Sequence, residues 1–272
     1  MKNPSKLFLS ILFALFLGNE KPAFAQSGVR YKTEIFTKID TIKNVQYGES
    51  MNIKSESEKL LLDIYLPQSD TEKKRPLLVC VHGGGFVNGD KEKGFQISFC
   101  KGFAKKGYVT SSINYRLGVE KPRTDLNYFE AMYRAVQDAK TAVRFFRKNA
   151  EKYGIDTTKI IIAGGSAGGM TVLQLAYLDQ DEVPKTFDTS KFGTLEGKSG
   201  NEGYSSNVQA VINCWGSMID YNWIKKVMLP CLMFTEQPIL RFPTMVHSAI
   251  TDSNMVAKTY MNILPHWEIF QV

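Results

Sequence analysis

The chain is predicted to be an α/β protein: a mostly parallel central sheet with helices on both faces. Three observations lead there. Short apolar runs of strand length alternate with longer amphipathic segments of helix length. Two of those runs, Leu77 to Val81 and Lys159 to Ala163, end in glycine-rich stretches, His82-Gly83-Gly84-Gly85 and Gly164-Gly165-Ser166-Ala167-Gly168-Gly169. The runs are apolar at consecutive positions, as in strands buried on both faces.

The elements follow in order. Residues 1–25 read as an export signal: Lys2 and Lys6 precede the apolar stretch Leu7 to Gly18, and Ala23-Phe24-Ala25 supplies a small-x-small cleavage site. The stretch is too short to span a bilayer, and the competing reading is an uncleaved anchor. A periplasmic or secreted location with no stable membrane span is therefore expected. Residues 26–54 form an irregular lead-in with one or two edge strands. Lys59 to Leu66 is a strand stopped at Pro67, and Leu77 to Val81 is the next. About Gly94 to Lys106 is a helix whose Phe95, Ile97, Phe99, Phe103 and Ala104 offer an apolar face, ended by Gly107. Tyr108 to Asn114 is a strand, and a long helix from about Leu126 to Lys152 precedes the strand Lys159 to Ala163. Met170 to Leu178 continues as a helix. Residues 181–206, rich in Asp, Lys, Ser and Gly, read as a surface loop or part of a lid, and Val208 to Cys214 and Leu229 to Phe234 as the last strands. One domain over residues 55–234 accommodates them.

The glycine-rich stretches carry the chemistry. A serine at the tip of a sharp strand-to-helix turn needs neighbours with almost no side chain, and Gly164 and Gly168 meet that need. Ser166 is the candidate nucleophile. An oxyanion formed on attack needs preorganised amide donors, and Gly84, Gly85 and Ala167 are the candidates. A histidine followed by glycines usually orders its loop through a backbone hydrogen bond, so His82 is assigned that role and not the base. Trp215, just past a strand, either lines the substrate pocket or packs at the strand end.

With these motifs in place, the chain resembles the α/β-hydrolase superfamily, in the esterase and lipase branch that carries His-Gly-Gly-Gly before Gly-x-Ser-Ala-Gly-Gly. Asn114-Tyr115-Arg116 and the helix from Asp138 to Ala150 leading to Tyr153-Gly154-Ile155-Asp156 extend the similarity over roughly residues 55 to 234. Within the branch, the chain is similar to secreted bacterial esterases of the carbohydrate-esterase and feruloyl-esterase-like type. The resemblance implies the α/β-hydrolase fold, a serine carboxylesterase passing through an acyl-enzyme without a cofactor, and a small-molecule or carbohydrate ester as substrate. A serine peptidase-like domain is a further alternative within the branch.

The resemblance also implies an acid and a histidine after Ser166, and there the pattern fails. Residues 235–272 contain none of the 21 glycines, and Phe234 is followed by Thr235-Glu236-Gln237-Pro238 in place of a motif such as His-Gly-Thr-x-Asp. Degenerate codons for Phe234 to Val246, read one nucleotide earlier, allow His-Gly-Thr-Ala-Asp-Pro-Glu-Val-Pro-Tyr-Asp-Gly. The tail 235–272 is therefore expected to be a frameshifted reading, which would leave the hydrolase scaffold without its acid and base and its C-terminal part incomplete. If the tail is native, His266 is the better base by chain order than His247, with Glu236 or Asp252 as acid.

Bulk properties exclude other classes. The formal net charge of +7 is spread along the chain, with no arginine-rich tract interleaved with aromatics, so nucleic acid is not an expected partner. The four cysteines lack metal-site spacing, and no metal is expected. Cys80 and Cys214 read as core residues, while Cys100 and Cys231 pair only if the fold brings them together. Oligomeric state is not set by any of these features.

Overall fold

A computed structural model describes residues 28–220, 223 and 229–234. The proposed signal 1–25 and the tail 235–272, with His247, His266, Glu236 and Asp252, lie outside the described residues. Seven strands form one sheet: β1 (Ile39–Met51), β2 (Ser57–Pro67), β3 (Arg75–Val81), β4 (Val109–Ile113), β5 (Ile155–Gly165), β6 (Ala210–Cys214) and β7 (Cys231–Phe234). Their spatial order is β1-β2-β4-β3-β5-β6-β7. The first two join antiparallel, and β4, β3, β5, β6 and β7 are mutually parallel. The helices are α1 (Phe95–Lys105), α2 (Asp125–Lys148), α3 (Ala150–Tyr153), α4 (Ala167–Tyr177) and α5 (Thr189–Phe192). Among the described residues, no helix is long and apolar enough to cross a membrane.

The central strands explain the continuous apolar runs. All seven residues of β3 and all five of β4 are buried, because helices cover both sheet faces. Three of the β4 residues are polar, and each is satisfied. Thr110 Oγ1 donates to Cys100 O at 2.9 Å, Ser111 Oγ to Asp63 O at 2.8 Å and Ser112 Oγ to Lys91 O at 2.8 Å. The larger core lies on the face of α2 and α4, centred on residues such as Leu77, Val79, Met132, Phe146 and Val172. A smaller cluster under α1 gathers Tyr65, Leu78, Cys80, Cys100, Ala104, Ala163, Ile212 and Cys214.

The structure sharpens several sequence expectations and corrects the span of the long helix. The lead-in forms a single thirteen-residue edge strand, β1, with register shifts at Ile42/Val45 and Gln46/Gly48. The long helix breaks at Asn149, whose backbone leaves the helical region (φ −104°, ψ 21°) while its side-chain amide donates to Phe145 O at 2.8 Å. The cysteines are all free. Cys100 packs beside Cys80 under α1, whereas Cys231 packs against the opposite core, so the pair considered from sequence is not brought together.

Residues 181–206 are neither a bare loop nor among the residues that line the cleft described below. They strap across the outer side of α2. Phe187 packs at a tilt against Tyr133 and stacks on Phe192 (4.6 and 5.1 Å between centroids), and Leu195 is buried. Glu196 takes Lys140 Nζ at 2.8 Å and Arg144 Nη1 at 3.0 Å. Sixteen of the 24 residues of α2 are buried, which requires such a second cover.

Candidate active site

Strand β5 ends at Gly165, α4 begins at Ala167, and Ser166 stands between them with φ 54° and ψ −120°. A non-glycine residue at positive φ is strained, and here close packing fixes it. A Cβ on Gly164 would run into the Gly168 backbone, and one on Gly168 would meet the Val81 carbonyl and lie 2.7 Å from His82 O. The Ser166 amide donates to Cys214 O at 2.9 Å, and the Ser166 carbonyl accepts from Met170 N at 2.8 Å, closing the first turn of α4. The side chain makes no capping hydrogen bond and is exposed. An N-capping role for Ser166 is thereby excluded.

The loop after β3 packs onto this turn. A Cβ on Gly83 would lie 2.8 Å from Gly165 O and 3.3 Å from Ser166 Cβ. Gly84 (φ 115°) leaves no room for a side chain beside Asn88, and its carbonyl accepts from Val87 N and Asn88 N, both at 3.1 Å. Gly85 (φ 61°) faces open space. The amides of Gly84, Gly85 and Ala167 donate no hydrogen bond among the described residues. Gly84 shares the cleft with the exposed Ser166 and Ala167 follows it in the chain, and unpaired amides so placed are suited to an anionic oxygen.

His82 is 2% exposed and its ring stacks on Tyr115 at 4.3 Å. Its Nδ1 lies 2.7 Å from Gly83 O, which assigns the proton to Nδ1, while Nε2 has no partner among the described residues. Burial depresses the imidazole pKa against the opposing effects of the Gly83 carbonyl and Asp90, so the ring is held neutral. Tyr115 in turn donates to His82 O at 3.0 Å. Next along the chain, Arg116 is clamped by Asp138, with contacts of 2.8 Å from its amide and from Nη2.

These groups open on a cleft of about 240 Å³ lined by His82, Gly83, Gly84, Gly165 and Ser166 on one side. Phe95 and Trp215 form an aromatic wall, with ring centroids 5.3 Å apart, and Asp90 and Lys93 form a charged one. Burial opposes ionisation of Asp90, but the Glu92 amide and the Asn114 side chain outweigh it and hold the pKa below the ordinary value. The loop bearing Asp90 is anchored by a buried ion pair, Lys91 Nζ to Asp63 Oδ1 at 2.9 Å. Of the two readings of Trp215, the pocket-lining one matches its position. Phe95 was legible only as part of an apolar helix face. Asp90 and Lys93 carried no motif.

The model of the BD-FAE family matches residues 62–232. Among curated proteins, the chain is 32% identical over 138 residues to Esterase LipC of Mycobacterium tuberculosis, covering 48% of this chain and 31% of that one. It is 34% identical over 109 residues to human Arylacetamide deacetylase-like 2, covering 39% and 25%. The chain thus spans a quarter to a third of the length of these two relatives. A solved structure, Thermogutta terrifontis esterase 2 phosphonylated by cyclosarin, is 26% identical with a TM-score of 0.49, covering 65% of this chain and 57% of that one. With the match running from β2 to β7 through both glycine-rich turns, the chain belongs to the BD-FAE family, in the esterase and lipase branch of the α/β-hydrolase fold.

Proposed function

We propose that this protein is an exported serine carboxylesterase acting on small or carbohydrate-linked esters. Ser166 Oγ attacks the ester carbonyl and passes its proton to a base. The carbonyl oxygen becomes an oxyanion among the amides of Gly84, Gly85 and Ala167. The carbon–oxygen bond to the alcohol then breaks, leaving an acyl-enzyme that water hydrolyses to the free acid and Ser166. The observation that carries this reading is the exposed, uncapped Ser166 at φ 54° beside amides without acceptors. The aromatic wall of the cleft and the relatives named as esterases support the ester as substrate. An acylated sugar rests on the family resemblance, and export on the N-terminal segment.

His266 is the base in this proposal, and His82 orders the oxyanion loop. A second reading, a scaffold without its acid and base, is favoured by one observation. His82 Nε2 is buried and makes no hydrogen bond to Ser166 Oγ among the described residues, so His82 is not placed to take the serine proton. The full chain incubated with p-nitrophenyl acetate separates the two. Turnover lost in Ser166→Ala and in His266→Ala supports the esterase. A folded protein without turnover supports the incomplete scaffold. Removing one member of such a triad lowers the rate by about 10⁴-fold or more, which makes the outcomes distinct. The mass of the protein recovered from a periplasmic fraction tests cleavage after Ala25.

A further inference from the structure

Eight non-glycine residues among those described have positive φ. Tyr31, Asn44, Ser55, Ser69 and Asn201 occupy turns or a strand irregularity, and none lines the cleft. Of the other three, Phe86 (φ 61°) lies buried in the loop after β3, while Ser166 and Trp215 (φ 51°), the latter directly after β6, both line the cleft. A bulky aromatic residue in this region is an outlier, and an outlier persists only where its surroundings enforce it. At Trp215 the enforcing group is Asn213. Its Oδ1 accepts from Gly216 N and its Nδ2 donates to Gly216 O, both at 2.9 Å. The pair of bonds closes a four-residue loop, Asn213 to Gly216, around Trp215.

That loop is pressed onto the start of α4. A Cβ on Gly216 would lie 2.5 Å from Met170 N, and one on Gly169 would lie 2.5 Å from Asn213 Oδ1. The strain is not spent on burying the ring, because Trp215 remains 44% exposed. It places the ring over Gly165, where Trp215 Cζ2 lies 3.4 Å from the position of an added Cβ, next to Phe95 and one residue from the nucleophile.

We propose that Trp215 is a specificity-determining residue whose ring, with Phe95, receives a flat ring carried by the ester on one side of its scissile bond, and that Asn213 is the positioning residue that holds it there. The inference rests on the ester-hydrolase reading for its reaction but not for its binding test. Gly165 and Gly169 fit the same account, since a side chain at either would fill the space beneath the ring or break the clasp.

The test uses the full chain and uncleaved carbonyl compounds, so that binding is read separately from turnover. Benzamide carries a ring on the acyl side, acetanilide carries one on the other side, and butyramide carries a chain. Affinities for the wild type, Trp215→Gly and Asn213→Ala are measured by calorimetry. The wild type is expected to prefer one of the two ring compounds over butyramide by about tenfold, and which one identifies the side of the ester that the wall receives. Trp215→Gly removes the ring and the backbone strain together, so the preference is expected to vanish while the thermal midpoint stays level or rises. Asn213→Ala is expected to lose most of the preference while Trp215 is retained. A ring preference unchanged in Trp215→Gly, or no ring preference in the wild type, overturns the proposal. A wild type that shows the preference yet fails to hydrolyse phenyl acetate contradicts the ester-hydrolase reading and leaves the ring site standing.

Discussion

Gly168→Ala places one methyl group at the tightest junction of the site. The new Cβ would lie 2.7 Å from His82 O and closer still to Val81 O, both backbone atoms at the end of β3 that cannot rotate away. Ordinary contacts begin near 3.4 Å, so either α4 or the loop bearing Gly84 must retreat by a sizeable fraction of an ångström. Overpacking of this kind costs about 1–3 kcal/mol. For a domain of this size that is a fall in thermal midpoint of roughly 2–12 °C. The retreat also separates Ser166 from the oxyanion donors, and a misplacement approaching 1 Å can cost about 100-fold in rate. Gly102→Ala is the control: it lies within α1, has no atom within 4 Å of an added Cβ, and should gain about 0.5–1 kcal/mol. Thermal denaturation and the rate of fluorophosphonate labelling read both effects. If Gly168→Ala matched the wild type in midpoint and labelling rate, the close packing of the elbow against β3 would be refuted.

Further expectations follow from the same contacts. Ser166→Gly should abolish labelling and raise stability by about 1 kcal/mol or more, because it relieves the residue's positive φ; a lowered midpoint in denaturation would contradict the strained turn. Asp138→Ala should cost about 3–5 kcal/mol, since Asp138 is fully buried and its loss strands the Arg116 guanidinium; urea denaturation measures it. His82 favours the neutral ring in the folded state, so its contribution to stability is full above the ordinary value of 6.5. It is lost as pH falls from there toward the depressed folded pKa. The thermal midpoint should therefore drop between pH 7.5 and 5.5, and His82→Asn should flatten that drop; an equal drop in both proteins would remove His82 as its source.

The parallel sheet and the elbow were legible because each rests on a local constraint. Ile160 to Ala163 had to be a buried strand, and Gly164 and Gly168 had to be glycine wherever a strand and a helix met so closely. The elements read less well were those fixed by distant partners. Residues 181–206 lack periodicity, and what orders them is Phe187 on Tyr133 and Glu196 between Lys140 and Arg144. A signal was present on the other partner: Lys140 and Arg144 are interleaved with Val136, Ala139, Ala142, Val143, Phe145 and Phe146 in one helix, and cations placed so need a covering carboxylate. Asn213 carried no such signal, since an Asn near a strand end is ordinary and its clasp on Gly216 exists only in the folded turn. The break at Asn149 was open to a closer reading, because Asn competes for backbone partners and commonly ends helices.

The central claim concerns the Ser166 hydroxyl and the amides beside it, and the structure of the protein after reaction with a fluorophosphonate tests it most directly. The account predicts a single adduct on Ser166 Oγ, its phosphoryl oxygen about 2.7–3.1 Å from the Ala167 amide and from an amide of Gly84 or Gly85. An adduct whose phosphoryl oxygen points to solvent, or a folded protein modified at another residue while Ser166 stays free, would contradict it.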